Sequence, residues 1–257
     1  MNGFVARRAQ RSFSRSFPSY HARACEQARI ADDLARRLSE LGAPETFGRA
    51  FEIGCGTGHL TQALLRRFTI SSLTLNDLLP EAADVAHAAG ARFLPGDART
   101  VAWPDAPDLI ASASTIQWLD DPQAFMKKAA RCLAPGGWLA ISGFGTDQFR
   151  ELRDLGSTAR APGLCQPEAM AGAIRSGGGD ALDVLDVRQE HRRMWFENPT
   201  QVLKHLRQTG VNATASRIWT RHTLKDFNER YVRTFGASSG RVPLSYNPVL
   251  VIARKRA

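Results

Sequence analysis

Phe51-Glu52-Ile53-Gly54-Cys55-Gly56-Thr57-Gly58 reads as a short buried strand that runs into a glycine-rich turn, with a helix expected from His59 to Phe68. Glycine has no Cβ and tolerates positive φ, so a turn of this composition lets a ligand press against bare backbone. The spacing is E-x-G-x-G-x-G. It is neither the G-x-G-x-x-G of nicotinamide dehydrogenases nor the G-x-x-x-x-G-K-[ST] of phosphate-binding loops, and no lysine follows to meet a phosphate. A turn with a purely structural role is the competing reading, and the segments downstream weigh against it.

Outward from this turn, strands and helices alternate. Ala22 to Leu41 has apolar or small residues at helical spacing, with Arg and Asp on the other face, and ends at Gly42 and Pro44. Five strands are expected at Ala50–Ile53, Ser72–Leu75, Ala91–Leu94, Asp108–Ala113 and Trp138–Gly143, with helices at Pro80–Ala89 and Gln123–Leu133 between them. That rhythm implies a parallel sheet with helices on both faces. After Gly145 it changes. Helices are expected at Gln148–Leu155, Pro167–Ser176, Thr200–Gly210 and Leu224–Phe235, a long half-exposed strand at Leu182–Phe196, and a last strand at Leu244–Arg254. The segment from about Phe149 to Gly179 reads as an insertion over the carboxyl edge of the sheet.

A chain of 257 residues, 43% hydrophobic and 23% charged, fits one soluble globular domain with an appendage. No apolar run is long enough to span a bilayer. Cys25, Cys55, Cys132 and Cys165 are scattered, form no C-x-x-C and suggest no metal cluster, so a reducing compartment is expected. The net charge of +9 suits nucleic acid, an anionic membrane or an acidic protein. No basic run is interleaved with aromatics as in RNA-binding modules. The start, with Arg7, Arg8, Arg11, Arg15 and Arg23 and no acid before Glu26, has the composition of a transit peptide but no secretory apolar core.

In a doubly wound sheet, ligands sit outside the carboxyl ends of the strands where strand order reverses. Each of the first five strands here ends in a polar or glycine-rich element. Asp77, about twenty positions beyond the turn, suits a ribose-hydroxyl acceptor; it also fits a helix N-cap ahead of Pro80. Asp97, with the Ala98 N–H beside it, suits an adenine edge, or is a plain turn residue. Ser112-Ala113-Ser114-Thr115-Ile116-Gln117-Trp118 follows strand four and Phe144-Gly145-Thr146 follows strand five.

Over Ala22 to Phe144 these features resemble the class I S-adenosylmethionine methyltransferases. Over nearly the whole length the chain is similar to the family that O-methylates malonyl-acyl-carrier protein in biotin synthesis. The narrower resemblance rests on Phe13-Ser14-Arg15 through Tyr20 and Gln27, which look like an F-x-x-A-x-x-x-Y entry into the first helix, with Phe17-Pro18 in place of small residues. It rests also on the Ser112–Trp118 loop, with Ala113 where asparagine is usual, and on Leu133-Ala134-Pro135-Gly136-Gly137. Phe144 to Leu152, Gly210-Val211-Asn212-Ala213 and the closing Gly240-Arg241-Val242-Pro243-Leu244-Ser245-Tyr246 complete it.

The resemblance implies a Rossmann-like α/β fold with a mostly parallel seven-stranded sheet and a helical lid insertion after strand five. It divides one domain into an arm and helix closing over the cofactor (1–41), a cofactor-binding core (42–147), a lid with the sixth strand (148–210) and a C-terminal helix and strand (211–257). It implies S-adenosyl-L-methionine as cofactor and S-adenosyl-L-homocysteine as product. The expected cofactor-binding residues are Tyr20, Gln27, Glu52, Gly54, Cys55, Gly56, Gly58, Asp77, Leu78, Asp97, Ala98 and Ser112. Gln117, Trp118, Phe144 and Thr146 are expected at the substrate. No general base is required, and Tyr20, Trp118 and Phe144 position the reactants. Arg153 and Arg160 are unranked candidates to clamp a substrate carboxylate. The partner implied is an acidic acyl carrier protein carrying a malonyl thioester, met by a basic patch drawn from Arg175, Arg188, Arg192, Arg193, Lys204 and Arg207. A cytoplasmic monomer with neither nucleic-acid nor membrane partner is expected. Two alternatives stay open: another small-molecule methyltransferase, and a methyltransferase-fold assembly factor or protein hydroxylase. A nucleic-acid methyltransferase lacks support, since no N-P-P-[YF] follows strand four.

Overall fold

The computed structural model describes Ser14, residues 24–209 and residues 220–257. Tyr20, the arginines of the first 23 residues and Gly210-Val211-Asn212-Ala213 lie outside the described residues. Helix α1 (Cys25–Glu40) buries Ile30, Ala31, Leu34, Ala35 and Leu38 on one face, as their spacing demands, and Gly42 at φ 85° turns the chain away. Strand β1 (Thr46–Ile53) leads into α2 (His59–Leu65), β2 (Thr69–Asp77), a 3-10 turn at Pro80–Ala82, α3 (Ala83–Ala88), β3 (Arg92–Pro95) and β4 (Leu109–Ser112). Next come α4 (Pro122–Cys132), capped by the Asp121 carboxylate on the Ala124 N–H, and β5 (Trp138–Phe144), buried along its whole length.

The remaining elements are α5 (Arg150–Asp154), α6 (Pro167–Gly178), β6 (Leu182–Gln189), β7 (Arg192–Phe196), α7 (Pro199–Gln208), α8 (Arg221–Phe235), β8 (Val242–Tyr246) and β9 (Pro248–Lys255). The main sheet has seven strands in the order β3-β2-β1-β4-β5-β9-β6. The pairs from β3 to β5 are parallel, and β9 runs antiparallel to both neighbours. Strand order reverses between β1 and β4, so the glycine turn and the Ser112–Trp118 loop leave the sheet side by side. No helix among the described residues is long and apolar enough to cross a membrane.

Two expectations need correction. The single strand expected at Leu182–Phe196 is two strands, and so is the last strand expected at Leu244–Arg254. Both break at one level, between the Gln189–Val249 and Arg192–Tyr246 pairs. Asn247, fully buried, enforces the bend. Its Nδ2 donates to Glu190 O (2.9 Å), its Oδ1 accepts from Gln189 Nε2 (3.0 Å), and its N–H donates to Gln148 Oε1 (2.7 Å). Beyond it, β7 and β8 form a separate two-stranded ribbon that shares a small core with α7 and α8 around Tyr231 and Tyr246.

The second correction concerns 149–179. Pro167–Gly178 is no part of a lid. Met170, Ala173 and Ile174 join the core cluster of Phe125, Met126 and Ala129. A Cβ on Gly177 would meet the Lys127 backbone at 2.5 Å, so α6 lies hard against α4.

Candidate active site

The glycine turn closes on itself. Gly54 and Cys55 donate their N–H groups to Asn76 O (2.8 and 3.0 Å), Gly56 donates to Asp77 Oδ2 (2.8 Å), and Gly58 to Cys55 O (2.9 Å). A phosphate-binding loop aims such donors at its ligand; here all four are spent inside the protein. Gly54 and Gly58 are needed for space, and Gly56 for its positive φ. Gly54 sits at φ 70°, and a Cβ there would collide with the Thr115 side chain of the neighbouring loop. A Cβ on Gly56 would point into open space, so bare backbone faces the cleft at that position.

That cleft has a volume of about 1240 Å³, its open mouth included. Of the residues expected at the cofactor, Gln27, Glu52, Gly54, Cys55, Gly56, Asp77, Leu78, Asp97 and Ala98 line it, and so does Trp118, expected at the substrate. Gly58 and Ser112 do not. Gly58, at φ 86°, starts α2 against Val85. Ser112 is fully buried and its hydroxyl donates to Ile53 O (2.9 Å), tying β4 to β1.

Three carboxylates define the cleft's charge. Glu52 is 1% exposed; its Oε2 accepts from Thr61 Oγ1 (2.8 Å), and its Oε1 is buried without a hydrogen-bond partner among the described residues. Burial pushes its pKa up to about 8. Asp77 accepts from Leu79 N on Oδ1 and from Gly56 N on Oδ2, both at 2.8 Å. Burial raises its pKa and these backbone donors oppose the rise. A carboxylate has about four lone-pair sites, so the turn-capping bonds leave Asp77 able to accept from a ligand as well. Asp97 is held by the Arg99 guanidinium, with Nε on Oδ1 (2.9 Å) and Nη2 on Oδ2 (2.6 Å), which keeps it below the usual carboxylate range. Arg99, Asn76 and Thr115 also line the cleft, and none of them is among the expected cofactor-binding residues. The Cys55 thiol is pushed far up by burial and is no nucleophile at neutral pH.

A second chamber, of about 640 Å³ with its open mouth included, adjoins the first and shares Gln27, Ser114 and Trp118 with it. Gln117 and Phe144 line it as expected, together with Gln148, Phe149, Leu152, Arg153, Arg160 and Leu164 from the overhanging segment after β5. The shared wall is unusual. Ser114 sits at φ 54°, left-handed for a residue with a side chain, held there by N–H bonds to the Ser142 carbonyl and hydroxyl (3.2 Å each). The Ser114 hydroxyl, Gln117 Oε1 and Gln27 Oε1 are all buried without partners among the described residues. Gln117 Nε2 donates to Ser114 O and so fixes which end of that amide faces the chamber. Thr146 is not in the chamber: its hydroxyl accepts from Gln166, and its carbonyl receives Arg153 and Arg160.

The expected basic patch also needs correction. Arg192 is 10% exposed and bonded to Glu190 and Asp33, so it is structural, whereas Arg188 pairs with Asp186 but stays exposed. Arg175, Arg193, Lys204 and Arg207 are exposed. Among the described residues no group of three or more His, Cys, Asp or Glu is placed to hold a metal ion.

The donor set fits an adenosyl sulfonium. Buried acids, one with an unpartnered oxygen, face a cleft beside a turn that spends four of its N–H donors internally, which suits an ammonium and a sulfonium better than a phosphate. A methyltransferase-domain family model matches residues 51–141, spanning the glycine turn through β5. The malonyl-[acyl-carrier protein] O-methyltransferase of Bacteroides thetaiotaomicron is 34% identical, over 95% of this chain and 96% of that protein. A protein of the same name from Bacteroides fragilis is 34% identical over 96% of this chain; the chain spans about half of that relative's length. A methyltransferase structure from Bacillus halodurans superposes with a TM-score of 0.60 at 16% identity, covering 88% of this chain and 99% of that one, which shows the shared fold. With its sheet order, its glycine turn and relatives of this identity over nearly its full length, the chain belongs to the malonyl-[acyl-carrier protein] O-methyltransferase family of S-adenosylmethionine-dependent methyltransferases.

Proposed function

We propose that the protein transfers a methyl group from S-adenosyl-L-methionine to the free carboxylate of a malonyl thioester on acyl carrier protein, an early step of biotin synthesis. One observation carries this reading: two adjoining cavities, one holding Glu52, Asp77 and Asp97 and the other Arg153 and Arg160, share a single wall at Gln27, Ser114 and Trp118. When bound, the cofactor supplies an electrophilic methyl whose carbon–sulfur bond breaks as a carbon–oxygen bond forms, leaving S-adenosyl-L-homocysteine.

The chain's residues bind and position. Glu52, Gly54 and Gly56 hold the aminocarboxypropyl end, with the Glu52 carboxylate toward its ammonium. Asp77 accepts from the ribose hydroxyls. Asp97, steadied by Arg99, and the Ala98 N–H read the adenine. Trp118 and Phe144 wall the acceptor's path, and Tyr20 closes over the cofactor. A carboxylate is already ionised near neutral pH, so no group here has to remove a proton. Holding two reactants in line is worth up to about 7–11 kcal/mol in favourable cases, and excluding water strengthens their attraction.

The carrier is an acidic protein, and exposed arginines and lysines steer its approach, an effect that weakens with salt. The enzyme acts as a cytoplasmic monomer without nucleic-acid or membrane partners. The test is methyl transfer to malonyl-acyl-carrier protein measured beside free malonyl-coenzyme A and unrelated carboxylates. A clear preference for the carrier-bound acid, and restoration of growth by biotin in a deletion strain, are expected. Equal rates on every acid would refute the assignment.

A further inference from the structure

Arg153 and Arg160 both line the acceptor chamber, and both donate to one carbonyl, Thr146 O, from Arg153 Nη1 at 3.3 Å and Arg160 Nη2 at 3.1 Å. They therefore stand side by side, yet their charges are not equivalent. Arg153 is spent on acids: Nη1 reaches Asp147 Oδ1 and Nε reaches Asp154 Oδ1, each at 3.1 Å. Arg160 has no acidic partner among the described residues, and its one hydrogen bond there goes to the neutral Thr146 carbonyl. A guanidinium has five N–H donors in a planar fork that matches a carboxylate. Arg160 keeps most of that fork, whereas Arg153 has turned its own toward Asp147 and Asp154.

The rest of the chamber sharpens the contrast. Phe144, Phe149, Leu152 and Leu164 give it apolar walls. Arg160 is exposed at the mouth of this apolar chamber, so its uncompensated charge meets an entering anion there. The Thr146 carbonyl anchors Arg160 without neutralising it, and Gln166 in turn holds the Thr146 hydroxyl.

Resting on the methyl-acceptor reading above, we infer that Arg160, and not Arg153, grips the carboxylate of the acceptor. Arg153 is a positioning residue that ties α5 to the Asp147 turn. Arg160 thereby sets the substrate class: a thioester whose far end carries a free acid, with the ester product released because methylation removes the charge that Arg160 holds. An alternative anion, the phosphodiester of the carrier's prosthetic arm, is common to substrate and product, so the two sources can be told apart.

The test is equilibrium binding of malonyl-acyl-carrier protein, and of the same carrier bearing the malonyl methyl ester, to the protein loaded with S-adenosyl-L-homocysteine. Arg160→Gln should weaken the free acid at least tenfold and leave the methyl ester unchanged. Arg160→Lys should recover part of the loss, and Arg153→Gln should change both carriers by the same small factor. Equal weakening of both carriers by Arg160→Gln would assign the residue to the phosphodiester and overturn the inference. So would an unaltered affinity for the free acid, or a selective loss in Arg153→Gln. A wild-type protein that binds neither carrier would overturn the acceptor reading and this assignment with it.

Discussion

The two chambers of this molecule are opposites built on one sheet edge. The cofactor cleft is made of backbone turns at the ends of β1, β2 and β3, and its acids are Glu52, Asp77 and Asp97, the last held by Arg99. The acceptor chamber is made of side chains from the segment after β5, its charged groups are arginines, and their anchors lie on a neighbouring carbonyl. A cation is at home in the first and an anion in the second. The difference teaches that the reaction's charge distribution is written into the walls before either reactant arrives.

The comparison breaks most readily at the glycine turn. Gly54→Ala places a Cβ at positive φ against Thr115 and should destabilise the protein by about 3 kcal/mol, with cofactor binding abolished in calorimetry. A variant that folds and binds normally would show that the close approach of the two loops is not required. Next in size, Asp77→Ala removes a charged acceptor and should weaken S-adenosyl-L-methionine by about 1–3 kcal/mol. Binding like that of the wild type would take Asp77 out of the site.

Glu52 tests the acidic character by pH. Its carboxyl, raised to about 8 in the folded protein, keeps a proton that the unfolded chain gives up near the ordinary glutamate value. Between those two values the folded state binds more protons. Stability of the unliganded protein should therefore fall as pH rises toward 8, by up to roughly 1.4 kcal/mol per pH unit. Cofactor affinity should rise over the same window, because the ionised form is the one that attracts an ammonium. Glu52→Gln should flatten both profiles, checked by thermal melts and calorimetry across roughly pH 6–9, a window that brackets the titration.

The smallest effect is expected one side chain behind the acceptor chamber, where Tyr246 packs on both His205 and Phe149. His205, bonded through Nε2 to the Tyr246 hydroxyl (2.6 Å), has a pKa lowered to about 4 by burial. The unfolded chain takes up that proton first, so the group's contribution to stability is present above about 6.5 and is lost as pH falls toward 4. His205→Gln should lessen the acid sensitivity of melting without altering cofactor affinity; an unchanged acid limb would remove His205 from the account.

The same contrast governs what could be read from sequence. Asp77 and the Gln117-Trp118 loop lie within a few residues of strand ends, and their placement follows from the strand-turn-helix rhythm. The Asp97–Arg99 pair was within reach of a local reading, since a base two residues from an acid can fold back on it. The paired arginines were not: their inequality depends on Asp147 and Asp154 both reaching Arg153. The bend at Asn247 had a signal, because Asn-Pro marks a turn and Pro248 brings no N–H. The reading of 167–178 as part of a lid overlooked topology. β6 lies parallel to β5 across β9, and such a connection needs a helix on the sheet face. Gly58 and Ser112 carry motif positions but serve packing, a distinction only the contacts reveal.

The account stands or falls on where the methyl goes. With the methyl of S-adenosyl-L-methionine isotopically labelled and malonyl-acyl-carrier protein as acceptor, the label should appear on the carrier as an ester and leave it as methanol on mild alkaline treatment. Label retained on the malonyl carbon, or absent from the carrier while the cofactor binds normally, would contradict the claim that the acidic cleft presents its methyl to a carboxylate held on the other side of the shared wall.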